Sequence, residues 1–95
     1  MQIVFGSGAP IYRLREQVIQ FPALVNGKRI ACRFDIEALA DHYDVTEVIP
    51  TFENHQGEIE SIVATMLRNG WMVVDNELCI HKRDFALFKG RIAER

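Results

Sequence analysis

The pair Asn26-Gly27 lies between two apolar-rich runs in the stretch FPALVNGKRIACRF, residues 21–34. A two-residue type I′ turn needs positive φ at both central positions, and Asn-Gly meets that need at least cost. Such a turn joins antiparallel neighbours and sets their register. Val25 then faces Lys28, Ala23 faces Ile30, Phe21 faces Cys32 and Ile19 faces Phe34. Leu24 with Arg29, Pro22 with Ala31 and Gln20 with Arg33 fall on the other side. Side chains alternate along a strand, so this hairpin has one apolar face that needs a cover and one mixed, basic face. Pro22 donates no N–H and is expected at a bulge or towards a free edge.

The remaining elements are arranged around this hairpin. Gln2–Phe5 reads as a short strand, and Gly6-Ser7-Gly8-Ala9-Pro10 as a loop. The loop contains G-x-G but lacks the strand-turn-helix setting and third glycine of a dinucleotide site. Asp35 has the chemistry of a helix N-cap, ahead of Ile36, Leu39, Ala40 and Tyr43 at helical spacing. Asp44 to Glu47 has capping-box spacing for a second helix, with Pro50 near its start. Phe52, His55, Ile59, Ile62, Val63, Met66 and Leu67 continue a helical stripe to Arg68. Gly57 is a place for that stripe to break, and Asn69-Gly70 a place for it to stop. Trp71–Val74 and Glu77–Ile80 read as a second hairpin about Asp75-Asn76. The end of the chain has the pattern of a short helix capped by Asp84, with Phe85, Phe88 and Ile92 on one side and Gly90 weakening it.

Strands at both ends with helices between predict an α+β fold. The expected form is an antiparallel sheet, built from the N-terminal strand and two hairpins, with helices packed on one face. Residues 1–82 are expected to form a single compact domain and 83–95 a basic C-terminal tail. At 95 residues, 48% of them hydrophobic and 25% charged, the chain has the make-up of one ordinary globular domain. No apolar run approaches the roughly 20 residues of a membrane span. The start MQIVFGSGAP lacks the basic and apolar regions of a signal peptide. Cys32 and Cys79 read as free packing thiols, which agrees with a cytoplasmic setting.

Several of these residues resemble a known family. Ile3, Phe5, Val18, Phe21-Pro22-Ala23, Val25-Asn26-Gly27, Ile30, Cys32, Leu39, Phe52 with His55, Ile59 and Gly70 are similar to the small bacterial proteins grouped as domain of unknown function 1488. The resemblance covers about residues 2 to 82, and the hairpin is its most specific part. It implies a compact α+β domain and supplies no activity, ligand or catalytic residue. The tryptophan that usually follows the family's first strand has no counterpart here; Tyr12 stands nearest its place.

Charge divides the chain into blocks. Asp35 to Glu60 carries eight carboxylates and no Lys or Arg, although the formal net charge is only −2. Arg13, Arg15, Lys28, Arg29 and Arg33 precede that block, and Lys82, Arg83, Lys89, Arg91 and Arg95 follow it. Folding turns such blocks into faces. His42 is expected to be solvated on an acidic helix, and His55 half-buried on the apolar stripe. Cys79-x-His81 with Cys32 lacks the paired spacing and four ligands of a zinc site. No catalytic residue, metal ligand or cofactor is therefore assigned. A nucleic-acid-associated regulatory role through the basic sheet face is the alternative; it fits less well, because no aromatic alternates with the arginines and the helices are acidic. The class that fits best is a protein-interaction or homo-oligomeric module. Arg13, Arg15, Arg29 and Arg33 are its candidate partner surface, and Phe85, Phe88 and Ile92 its candidate oligomer contact.

Overall fold

The computed structural model describes the backbone of residues 1–93 and the side chains of residues 1–90. The elements run β1 (Ile3–Phe5), β2 (Ile11–Arg13), β3 (Val18–Val25), β4 (Lys28–Asp35), α1 (Ile36–His42), α2 (Val48–Asn54), α3 (Gln56–Arg68), β5 (Glu77–Ile80) and α4 (Lys82–Ala93). Asn26 and Gly27 take φ of 53° and 82°, and β3 and β4 pair in the expected register from Val25↔Lys28 to Val18↔Asp35. The turn also anchors the chain's start: the Gln2 N–H donates to Asn26 Oδ1, and the Asn26 N–H donates to the Gln2 carbonyl.

β1 and β2 both pair antiparallel with β3, β1 against Ala23–Val25 and β2 against Val18–Gln20. They are two pieces of one edge strand, interrupted by the loop Gly6–Pro10. The interruption falls opposite Pro22. In a hairpin of this register Pro22 is in a non-hydrogen-bonded pair with Ala31, so its nitrogen points to the edge, where it has no hydrogen to give. An unbroken edge strand would lose a ladder bond there. The loop instead lies over the ring, where a Cβ on Gly8 would sit 3.2 Å from Pro22 Cγ.

The sheet order is β1-β3-β4-β5, with β2 beside β3. It is mostly antiparallel, and β5 is the exception. Asp75 and Asn76 make the expected tight turn, with φ of 53° and 62°. The hairpin about it is nevertheless a single bridge, Val74↔Glu77. β5 runs parallel to β4, from Ala31↔Glu77 to Phe34↔Ile80. A parallel neighbour needs a long crossover, which α1–α3 supply. The gain is burial: Leu78 and Ile80 enter the core beside Cys32 and Phe34.

The apolar core lies between the sheet's inner face and the helices. Ile19, Phe21, Ala23, Ile30, Cys32 and Phe34 come from the hairpin; Leu39, Phe52, Ile59, Ile62, Val63, Met66 and Leu67 come from α1–α3. The Asp35 carboxylate caps α1 through the Glu37 N–H at 3.0 Å. The Asp44–Glu47 capping box does not form; α2 starts at Val48 without a side-chain cap, and Pro50 sits in its first turn, where N–H groups lack helical partners anyway. The stripe breaks at His55 (φ −116°, ψ 12°), two residues before Gly57, giving two helices. α3 ends in a Schellman motif, with Gly70 at φ 79°, its N–H on the Leu67 carbonyl and the Trp71 N–H on the Met66 carbonyl.

The C-terminal expectations need correction. α4 starts at Lys82, and the first helical bond runs from the Phe85 N–H to the His81 carbonyl, so Asp84 lies in the first turn rather than at the cap. Phe85 and Phe88 are 0% and 2% exposed. Phe85 meets the Phe34 ring edge-on at 4.9 Å, and Phe88 meets Trp71 at 5.3 Å. Both are core residues, covered by their own chain and unavailable to a second copy. The boundary expected at residue 82 cuts through the first turn of a helix that completes the core. The Ile92 side chain lies outside the described residues, as do those of Arg91 and Arg95.

Candidate functional site

The helices cover one face of the sheet and leave the other open. Strand alternation puts Ile11 and Arg13 of β2, Gln20, Pro22 and Leu24 of β3, Arg29, Ala31 and Arg33 of β4, and Glu77 and Cys79 of β5 on the open side. A depression of about 310 Å³ crosses it. Gln20, Pro22 and Ala31 form its floor; Ala9 and Ile11 stand on one side, Asp75, Asn76 and Glu77 on the other, with Arg29 among the lining.

The four candidate arginines do not all share this surface. Arg13, Arg29 and Arg33 stand on the open face, while Arg15 lies in the exposed turn between β2 and β3. Arg33 is half-buried and donates to Gln20 Oε1 at 3.3 Å. Among the described residues, none of the four pairs with a carboxylate. The basic end of the chain sits elsewhere. Lys82 pairs with Glu37 at 3.2 Å and Lys89 with Glu58 at 2.7 Å, so α4 neutralises part of the acidic helical side instead of extending the basic face. No described aromatic side chain stands on the open face.

One polar cluster was not visible in the sequence. The Tyr43 hydroxyl donates to Glu58 Oε1 at 2.8 Å, and Lys89 Nζ donates to the same oxygen at 2.7 Å. Lys89 Nζ also sits 4.4 Å from the centre of the Tyr43 ring, and His55 stacks on that ring at 3.9 Å. Burial, then the bond to Glu58 and its charge, raise the Tyr43 phenol above its ordinary value. The hydrogen bonds from Lys89 and Tyr43 hold the Glu58 carboxyl below its ordinary value, against a smaller opposing effect of burial. The phenol stays protonated and the carboxylate charged and matched. This arrangement clasps α4 to α3 and to the end of α1. Its partners are up to 46 residues apart, and no local motif announces them.

The other reactive groups are kept apart. Cys32 is on the inner face, where burial and then Glu60 push its thiol up to about 12. Cys79 is exposed on the outer face, and both cysteines are free. His42 is not solvated as expected; it is half-buried, with its ring 5.2 Å from that of Phe85. No group of three or more His, Cys, Asp or Glu among the described residues is placed to hold a metal.

The family described as "Protein of unknown function (DUF1488)" matches residues 3–76. The chain belongs to the DUF1488 family. The resemblance noted from the hairpin residues is thereby confirmed. A crystal structure of a DUF1488 protein of unknown function from Shewanella loihica PV-4 is similar, with a TM-score of 0.68 and 17% identity over 82% of this chain and 90% of that chain. At that identity the likeness concerns the fold. No curated protein matches the chain. The DUF1488 match ends at Asn76, so the core residues Leu78, Ile80, Phe85 and Phe88 lie beyond it. No helix among the described residues is long and apolar enough to cross a membrane.

Proposed function

We propose that this DUF1488 protein is a non-enzymatic binding module of the cytoplasm whose open sheet face docks a partner protein. The observation that carries this reading is the set of arginines without carboxylate partners on a sheet face that no helix covers. Arg13, Arg29 and Arg33 suit carboxylates on the partner, and Ile11, 53% exposed, suits its apolar side chains. Asp75 and Glu77 beside the depression, and the acidic helices behind it, favour a partner of mixed charge over a polyanion. The matched Tyr43–Glu58–Lys89 cluster supports a structural role for the main polar constellation. The free, separated cysteines agree with a reducing compartment.

Two titrations of isotopically labelled protein test this. An extended peptide alternating Glu with Val or Ile is expected to shift the amide signals of Gln20, Arg29, Ala31 and Arg33, and Arg29→Glu with Arg33→Glu to abolish the shifts. Mixed-sequence DNA and RNA at low salt are expected to bind no tighter than about 10⁻⁴ M, the weak end of non-specific binding. Micromolar nucleic-acid binding that falls steeply with salt and disappears in the same double variant would reverse the assignment of this face.

A further inference from the structure

The segment Trp71–Val74 has the composition of a strand, yet its own chain supplies it with almost no strand partner. Tryptophan and two valines favour a pleated, half-covered surface. Met72, Val73 and Val74 are 75%, 37% and 56% exposed, three consecutive apolar residues at the surface. Trp71 is fixed at one end by its N–H bond to the Met66 carbonyl, and Val74 at the other by reciprocal bonds with Glu77. Between them, the N–H groups of Met72 and Val73 meet no acceptor among the described residues. In an extended segment neighbouring residues direct their backbone groups to opposite sides. Val74 uses both of its groups towards Glu77, so continuing that bridge as a strand turns those of Val73 to the free edge. An unpaired edge with exposed apolar side chains is a template for another strand.

We infer that this edge pairs antiparallel with the same segment of a second copy, across a two-fold axis at Val73. The two Val73 residues exchange N–H to carbonyl bonds. Met72 of each copy then faces Val74 of the other, which covers the most exposed apolar side chains. The flanking charges favour this partner. Arg68 precedes the segment, Asp75 and Glu77 follow it, and all three are exposed without an ion-pair partner among the described residues. Antiparallel self-pairing brings the start of one segment beside the end of the other, so Arg68 of each copy approaches the carboxylates of its mate. A two-fold contact requires this self-complementarity. Asp75 and Glu77 also border the depression of the open sheet face, so the contact adjoins that face but does not use Arg13, Arg29 or Arg33.

Sedimentation of the full chain at concentrations up to about 1 mM tests it. The expected result is a monomer–dimer equilibrium. Met72→Lys is expected to weaken it at least about tenfold, with little change in melting temperature because Met72 is 75% exposed in the monomer. Arg68→Glu and Glu77→Lys are each expected to weaken the dimer, and the two together to restore it. A monomer throughout overturns the proposal. So does a dimer that Met72→Lys leaves intact, or one that the charge exchange fails to restore in a double variant that still melts cooperatively.

Discussion

Two tight turns of the same geometry lead to different outcomes. Asn26-Gly27 and Asp75-Asn76 both place two successive residues at positive φ. The first joins strands paired over eight positions; the second holds one bridge. The flanks make the difference. β3 and β4 each deliver alternate apolar side chains to one core face, so pairing and burial call for the same register. After the second turn, Leu78 and Ile80 find their burial beside β4. Before it, the chain is held by the end of α3. A turn sets local geometry, and burial decides how far the pairing extends.

The largest expected effect tests the burial side of that comparison. Phe21 is packed against Phe5 and Phe52, with ring centres 6.4 and 5.1 Å away. Phe21→Ala is expected to destabilise the domain by about 3–5 kcal/mol, measured by chemical denaturation. An unchanged midpoint would show that the hairpin's inner face is not what holds it. The turn itself comes next. Gly27 sits at φ 82° with open space where a Cβ would be, so Gly27→Ala meets backbone strain without a clash. It is expected to cost about 1–2 kcal/mol.

Local signals made the first hairpin readable: the register of Phe21 and Cys32, the Asp35 cap and the Gly70 stop each depend on neighbours a few residues away. The outward position of Arg29 and Arg33 followed from alternation alone. Other features depend on distant chain. Ile11–Arg13 is too short to stand out and is a strand only because β3 offers an edge. Glu77–Ile80 pairs with β4 across three helices, so its parallel direction is a property of the whole fold. The basic residues that follow the acidic block read as a basic tail, yet Lys82 and Lys89 reach Glu37 and Glu58. Phe85 and Phe88 read as a candidate oligomer contact because their cover is assembled from the distant Phe34 and Trp71.

The clasp on α4 gives a smaller effect with a defined pH signature. Glu58 titrates below its ordinary value when folded, so its contribution is present above the ordinary carboxylate range and is lost as pH falls through that range and below. Tyr43 titrates above its ordinary value, so its contribution is present below about pH 10 and is lost as pH rises further. Tyr43→Phe is expected to cost about 1 kcal/mol at neutral pH. It should flatten the alkaline loss and reduce the acid loss, while Lys89→Met should reduce the acid loss more strongly. A stability–pH curve unchanged by either substitution would mean that the cluster does not hold α4.

The smallest effect returns to the second turn. Asn76 occupies the position that Gly27 holds in the first turn, at φ 62°. Asparagine tolerates this region better than most residues, so Asn76→Gly relieves little strain, and glycine adds freedom to the unfolded chain. The two effects oppose each other, and the turn closes one bridge rather than a ladder. The net change in the midpoint of chemical denaturation is expected to stay within about 0.5 kcal/mol. A loss above about 1 kcal/mol would show that the Asp75-Asn76 turn supports more of β5 than the Val74↔Glu77 bridge accounts for. The contrast between the turns would then be one of visible pairing and not of energy.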